Sequence, residues 1–192
     1  MPSYGLIVEG PYDEAVYPIL VRRLTSPNTD LIVRPCGGVS KLKRAFPSYL
    51  QEFLYAVQGN PVEKALVIRD SGGKESAALE RQMAERIRNR HYPFPKGIQF
   101  CAVQRAMETW LLADANAINA VALTRHGRPI TEVRETLEDI ADPKDRLKRL
   151  LSQAKLDYDP EVCREIAAEV RIETLRYRCR SFRSFELKVH DC

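Results

Sequence analysis

The stretch Ser3-Tyr4-Gly5-Leu6-Ile7-Val8-Glu9-Gly10 is a short apolar run that stops abruptly at an acid and a glycine. Its apolar residues are consecutive rather than alternating, the pattern of a strand covered on both faces, as in a parallel sheet. Three later stretches repeat the design. Leu31-Ile32-Val33 runs into Pro35-Cys36-Gly37-Gly38, Ala65-Leu66-Val67-Ile68 runs into Arg69-Asp70-Ser71-Gly72-Gly73, and a fourth strand is expected over Ile98 to Val103. Helical spacing fills the gaps. Tyr12, Val16, Ile19, Leu20 and Leu24 mark a first helix, with a kink or restart expected at Pro18. Leu42, Phe46, Tyr49, Leu50, Phe53, Leu54 and Val57 mark a second, with Ser40 as its expected cap and a bend at Pro47. Leu79, Met83 and Ile87 draw a thin apolar line along a charged third helix, roughly Glu75 to Arg90, as expected beside an edge strand. The order βαβαβαβ predicts an α/β fold: a mostly parallel four-stranded sheet flanked by helices.

After residue 105 the pattern changes. Met107, Trp110, Leu111 and Ile118 repeat at helical spacing; Val133, Leu137 and Ile140 predict another helix. Leu147, Leu150 and Leu151 follow the start signal Asp142-Pro143, and Val162, Ile166 and Val170 mark a further helix. The expected organisation is an α/β core over residues 1–105 and a helical extension over residues 106–192 packed on it. Trp110, with Met107 and Leu111, reads as core rather than as a base-stacking platform.

Composition narrows the class. With 44% hydrophobic and 29% charged residues, the 192-residue chain is richer in apolar side chains than a disordered one. No run of about 18 apolar residues suggests a membrane span. The opening Met1–Gly10 lacks a basic segment, so no secretory leader is expected. Five cysteines, none in a Cys-x-x-Cys pair, predict neither a zinc ribbon nor a disulfide framework and fit a reducing cytoplasm. The net charge of +4 is small, but six basic residues between Arg171 and Lys188 face only Glu173 and Glu186. Arg176, Arg180 and Arg183 in this tail, with Lys74, are the expected contacts to a DNA or RNA phosphate backbone.

In open parallel sheets the functional edge lies beyond the carboxyl ends of the strands. Glu9 follows the first strand and Asp70 the third; Glu108 lies one helical turn beyond the fourth, and Asp114 six residues later. Acids gathered on one edge repel one another unless a cation sits between them, and carboxylates are hard oxygen ligands suited to Mg2+ or Mn2+. Such a cluster predicts a metal site for phosphoryl chemistry. Asp13, four residues after Glu9, reads equally as a helix cap, and Asp70 as a turn former.

Leu6-Ile7-Val8-Glu9-Gly10 followed by Asp13 resembles the first motif of the TOPRIM domain of topoisomerases, primases and OLD-family nucleases, and Ala65-Leu66-Val67-Ile68-Arg69-Asp70 continues the match. The segment Ala106-Met107-Glu108-Thr109-Trp110-Leu111-Leu112-Ala113-Asp114 resembles the Glu-x-Trp-Leu-Leu-Ala-Asp signature of a TOPRIM-like family of bacterial proteins; Ser181-Phe182-Arg183-Ser184-Phe185 is similar to that family's terminal element. The resemblance implies a TOPRIM-like sheet and a magnesium-dependent nuclease subunit that works with an ABC-type or OLD-like ATPase in anti-phage defence. Glu9 would be a metal ligand or general acid/base, Asp70 would hold magnesium, and Glu108 would add a second carboxylate. Where the TOPRIM pattern has Asp-x-Asp, this chain has Asp70-Ser71-Gly72. Either Glu108 or Asp114 compensates, or the chain binds metal weakly, or it is a degenerate module that binds nucleic acid or a partner without cutting. A small-molecule phosphotransferase ranks last, since the chain lacks a Walker loop and a Gly-x-Gly-x-x-Gly element.

Overall fold

The structure, a computed structural model, describes residues 2–190. Strands β1 (Ser3–Val8), β2 (Asp30–Pro35), β3 (Lys64–Asp70) and β4 (Ile98–Val103) form one sheet in the order β2-β1-β3-β4. Every pairing is parallel. β1 and β3, the two central strands, carry the unbroken apolar runs, buried at nearly every position. β2 and β4 lie on the edges and are only partly covered.

Alternate side chains of the strands feed two cores. Ile7, Ala65 and Val67 face helices α2 (Val39–Phe53) and α3 (Ser76–Arg86), through Phe46, Phe53 and Met83. Gly5 is required here, because a Cβ would lie 2.3 Å from the Phe53 ring. Leu6, Val8, Leu66, Ile68, Cys101 and Val103 face the opposite layer, where they join helix α1 (Pro11–Leu24) and the second half of the chain in one continuous core. As expected from its thin apolar line, α3 packs on edge strand β4.

The second half comprises α4 (Glu108–Leu111), α5 (Ala115–Thr124), α6 (Pro143–Gln153), α7 (Pro160–Glu169), α8 (Ile172–Arg178) and α9 (Arg180–His190). Side chains of Asp114, Asp142 and Asp159 cap α5, α6 and α7 by accepting from backbone amides. The last helix returns to the sheet, packing on β4 and α1. Trp110 is fully buried where these pieces meet. Its ring centroid lies 5.2 Å from Phe182 and 5.1 Å from Phe185, and its Nε1 donates to Ser181 Oγ at 2.9 Å. The two sequence motifs around Trp110 and Ser181 are therefore one packing unit.

Four local expectations need correction. Helix α1 does not restart at Pro18 but runs on past it, as α2 runs on past Pro47, with both prolines buried. Ser40 does not cap α2: the N-cap is Gly38, whose φ of +116° suits glycine. The apolar residues Val133, Leu137 and Ile140 do not build a helix; only a 3₁₀ turn forms, at Leu137–Asp139. Tertiary bonds hold that segment instead: the Ser181 amide donates to Glu138 Oε1 at 2.6 Å, and Arg105 Nε to the Glu138 carbonyl. The run from Met107 to Ile118 is two helices, broken where Asp114 begins the second. Among the described residues no helix is long and apolar enough to cross a membrane, and Cys36, Cys101, Cys163 and Cys179 are free thiols.

Candidate functional site

Glu9 and Asp70 reach the carboxyl edge of the sheet from the central strands β1 and β3, and Glu108 from α4, which follows edge strand β4. Glu9 follows β1 directly, and its Oε1 accepts the backbone amide of Asp70, the last residue of neighbouring β3, at 3.0 Å. Asp70 Oδ1 in turn accepts the amide of Met107 at 3.2 Å, one residue before Glu108. Ser71 locks the loop that makes this possible. Its hydroxyl accepts the amides of Gly73 and Arg105, at 3.3 and 2.9 Å, and Gly72 donates to the Arg105 carbonyl at 3.0 Å. Arg105 pays for the clamp with a left-handed backbone, φ +63°. Glu108 is buried in the first turn of α4, and Tyr158 Oη donates to its Oε1 at 2.5 Å.

Asp13 is a fourth member of the group. It stands at the third position of α1 and its Oδ2 accepts the Gly10 amide at 2.9 Å, so it caps the helix, one of the roles its position allows. It also belongs to the acidic centre. Burial, then the charge of Glu9, raise its pKa to about 7, with Glu108 adding to the rise. Asp70 is pushed well above the usual carboxylate range by burial and then by Asp13, Glu108 and Glu9. Burial raises Glu9 as well; the Asp70 amide and the charges of Arg69 and Lys43 oppose this, and Glu108 reinforces it. These acids share one field that disfavours their simultaneous ionisation.

Tyr17 tests whether the group suits a hydrated cation. It lies one turn after Asp13 on α1, and a helical side chain leans back over the preceding turn. Its ring is buried against Trp110 and Phe185, yet its hydroxyl has no hydrogen-bond partner. Burial first, and then the charges of Asp70, Asp13, Glu108 and Glu9, drive its pKa far up. A buried hydroxyl without a partner, within the field of four carboxylates, suits a site that takes up water and an ion. The donor set, all carboxylate oxygen, suits Mg2+ or Mn2+. Each acid uses one oxygen in the bonds above, which leaves its second oxygen without a protein hydrogen bond among the described residues. Among those residues no three His, Cys, Asp or Glu side chains are placed to hold a metal ion as they stand.

The other expected site residues lie elsewhere. Asp114 is engaged by Arg171, whose amide, Nε and Nη2 donate to its two oxygens at 3.0, 2.9 and 3.2 Å; it also caps α5, and its pKa falls below the usual range despite burial. Asp13, and not Asp114, is thus the acid that joins Glu9, Asp70 and Glu108 at this edge. Lys74 stands exposed in the turn after Gly73. The basic tail is largely paired, mostly with acids from other elements. Arg176 binds Glu186 at 2.7 Å, Arg178 binds Glu132 at 2.9 Å, and Lys188 pairs with Glu80. Arg180 lines a cleft of about 590 Å³ with Glu80, Gln104, Glu138 and Ser184, and none of the four acids lines that cleft. Arg183 is exposed on α9. The cations that act on Glu9 and Asp13 are Arg69, Lys43 and Lys144, none from the tail. Sequence reading missed Tyr17 and Tyr158 as members of the centre. The i, i+4 spacing of Asp13 and Tyr17 could have found the first, but nothing in the sequence ties Tyr158 to Glu108.

A family model described as Domain of unknown function (DUF4276) matches residues 8–190. No curated protein matches the chain. Among solved structures it is similar to the crystal structure of hypothetical protein PH0156 from Pyrococcus horikoshii OT3. The two are 16% identical over 97% of this chain and 94% of that one, with a TM-score of 0.49.

Proposed function

The chain belongs to the DUF4276 family, and from the site it carries we propose that it is a magnesium- or manganese-dependent phosphodiester-cleaving subunit. The observation that carries the reading is the hydrogen-bonded chain linking Glu9, Asp70 and Met107-Glu108 beside Asp13 and the unpartnered Tyr17 hydroxyl. Support also comes from the resemblance of the Glu9-Gly10, Asp70 and Glu108 motifs to TOPRIM nucleases. That resemblance is likewise the basis for an ATPase partner and a part in anti-phage defence, while a cytoplasmic setting rests on the cysteine pattern.

Glu9, Asp13, Asp70 and Glu108 would hold the cation. When bound there, a divalent ion neutralises charge on a phosphoryl oxygen and acidifies water. The residues themselves supply the rest. Asp13, with a pKa raised to about 7, is suited to exchange a proton near neutrality. Tyr17 offers a hydroxyl donor inside the centre, and Tyr158 fixes Glu108. No covalent nucleophile is needed. The test is cleavage of labelled single- and double-stranded DNA and RNA with magnesium or manganese, by the wild type and by Glu9→Gln. Cation-dependent cleavage lost in Glu9→Gln is expected; cleavage that survives the substitution, or none on any substrate, contradicts the reading.

The alternative, a degenerate binding module, is favoured by one feature, the absence of an acid at Gly72. At φ +58° with open space where a Cβ would stand, that position accepts Asp at a cost of roughly 1–2 kcal/mol. Gly72→Asp that raised both metal affinity and cleavage would indicate a weakened enzyme rather than a module.

The acids also predict how stability depends on pH. Asp13 titrates at about 7 in the folded protein against an ordinary 3.8. The folded state therefore holds this proton more tightly, and stability falls as pH rises from about 4 through 7. Above pH 7 the charged centre weakens the metal-free fold, and a cation restores it. At ten times its dissociation constant the ion adds about 1.4 kcal/mol, or roughly 3–6 °C in Tm. Thermal melts should show that gain at pH 8 and little of it at pH 5. Equal magnesium shifts at both pH values would contradict the shared-proton account.

A further inference from the structure

Helix α6 carries four basic residues, and they divide into two kinds. Arg146 pairs with Glu135 at 3.1 Å and Arg149 with Asp145 at 2.6 Å. Lys144 and Lys148 are exposed and form no ion pair among the described residues. Both ammonium groups are instead gathered over one aromatic pair. Tyr12 of α1 and Tyr158, just before α7, stack with centroids 4.6 Å apart and planes 14° from parallel. Lys144 Nζ lies 5.4 Å from the Tyr12 centroid and 5.7 Å from that of Tyr158; Lys148 Nζ lies 5.3 Å from Tyr158.

Helix stability does not account for this arrangement. Lys144 stands in the first turn, where the helix dipole disfavours a cation. Lys148, four residues on, adds a like charge on the same face. Two ammonium groups converging on one ring repel each other, and an anion between them relieves the repulsion. The platform adjoins the acidic centre: Tyr158 donates to Glu108, Tyr12 lies beside Asp13, and Lys144 acts on Asp13. Lys43, on α2 in the helix layer across the sheet, acts on Glu9. A phosphodiester chain lying over the carboxylates would thus meet lysines from both layers.

We infer that the Lys144–Lys148 pair, held on the Tyr12–Tyr158 stack, is the phosphate-backbone contact that seats a polynucleotide over the Glu9–Asp70–Glu108 centre. The inference rests on the proposed nuclease reading and moves the contact from the C-terminal tail to α6. A lysine on a phosphate acts as a point charge and reads no sequence, so binding here is independent of sequence and strongly dependent on salt.

The test is fluorescence anisotropy with labelled single-stranded DNA and RNA over a salt series, without divalent cation. The proteins are the wild type, Lys144→Gln/Lys148→Gln, and Arg176→Gln/Arg183→Gln as the tail control. Glutamine removes the charge and keeps a flexible polar side chain, and unchanged or raised Tm in the lysine variant verifies folding. Removing two contacts to a single strand lowers the slope of log affinity against log salt by about 1.4 and, at 0.1 M salt, weakens binding roughly 10- to 30-fold. The tail control is expected to match the wild type. Wild-type-like salt dependence in the lysine variant overturns the inference and leaves the nuclease reading standing, as does an equal loss in the tail control. A wild type that binds neither probe overturns both.

Discussion

Asp70→Asn is expected to make the metal-free protein more stable and at the same time to abolish its response to magnesium. Asparagine retains the oxygen that accepts the Met107 amide, so the loop keeps its bond. What it removes is a charge set among Asp13, Glu108 and Glu9 in a buried setting. Functional sites commonly hold such strain, and relieving it here should gain on the order of 1–2 kcal/mol, roughly 2–8 °C in Tm. Loss of a ligand should lower metal affinity and any cleavage by at least about 100-fold, beyond the usual effect of an outer-shell change. Melting curves with and without magnesium read both effects in one experiment. A destabilised Asp70→Asn that still responded to magnesium would return Asp70 to the role of a turn former.

Trp110→Ala carries the largest expected loss of stability. The ring is fully buried between Tyr17, Phe182 and Phe185, and it joins α1, α4 and α9. Truncating such a side chain costs about 3–5 kcal/mol, a fall of roughly 6–20 °C in Tm. Trp110→Phe keeps much of the volume and loses mainly the Nε1 bond to Ser181, so it should cost about 1–2 kcal/mol for that bond and the smaller ring. Denaturant unfolding separates the two variants. A folded Trp110→Ala of near wild-type stability would mean that the aromatic cluster does not join the two halves of the chain.

What could be read from the sequence follows from which interactions are local. The strands were legible because each central one is an uninterrupted apolar run closed by a charged residue, as at Val8-Glu9 and Ile68-Arg69-Asp70. Their carboxyl ends then placed Glu9 and Asp70 on one edge without further information. Trp110 was legible as core from its apolar neighbours. Asp114 was misread because its partner, Arg171, lies far away in sequence, and a bidentate pair cannot be seen from a motif. The same distance hid Tyr158 from Glu108 and Lys144 from Tyr12. The charge of the basic tail changes meaning for the same reason. Its charge was counted locally, while Glu80, Glu132 and Asp114, which offset much of it, come from other elements. Val133, Leu137 and Ile140 kept a helical period that tertiary bonds through Glu138 override.

The central claim is that Glu9, Asp13, Asp70 and Glu108 gather a divalent cation at the carboxyl edge of the sheet. The most direct measurement is an anomalous difference map from a crystal of the protein soaked in manganese at pH 8. The account predicts one strong peak within ligand distance, about 2.0–2.5 Å, of oxygens from at least two of these four carboxylates, with Tyr17 Oη bonded to a water beside it. A peak at Asp114, or none among the four acids while the soaked crystal shows manganese elsewhere, would contradict it.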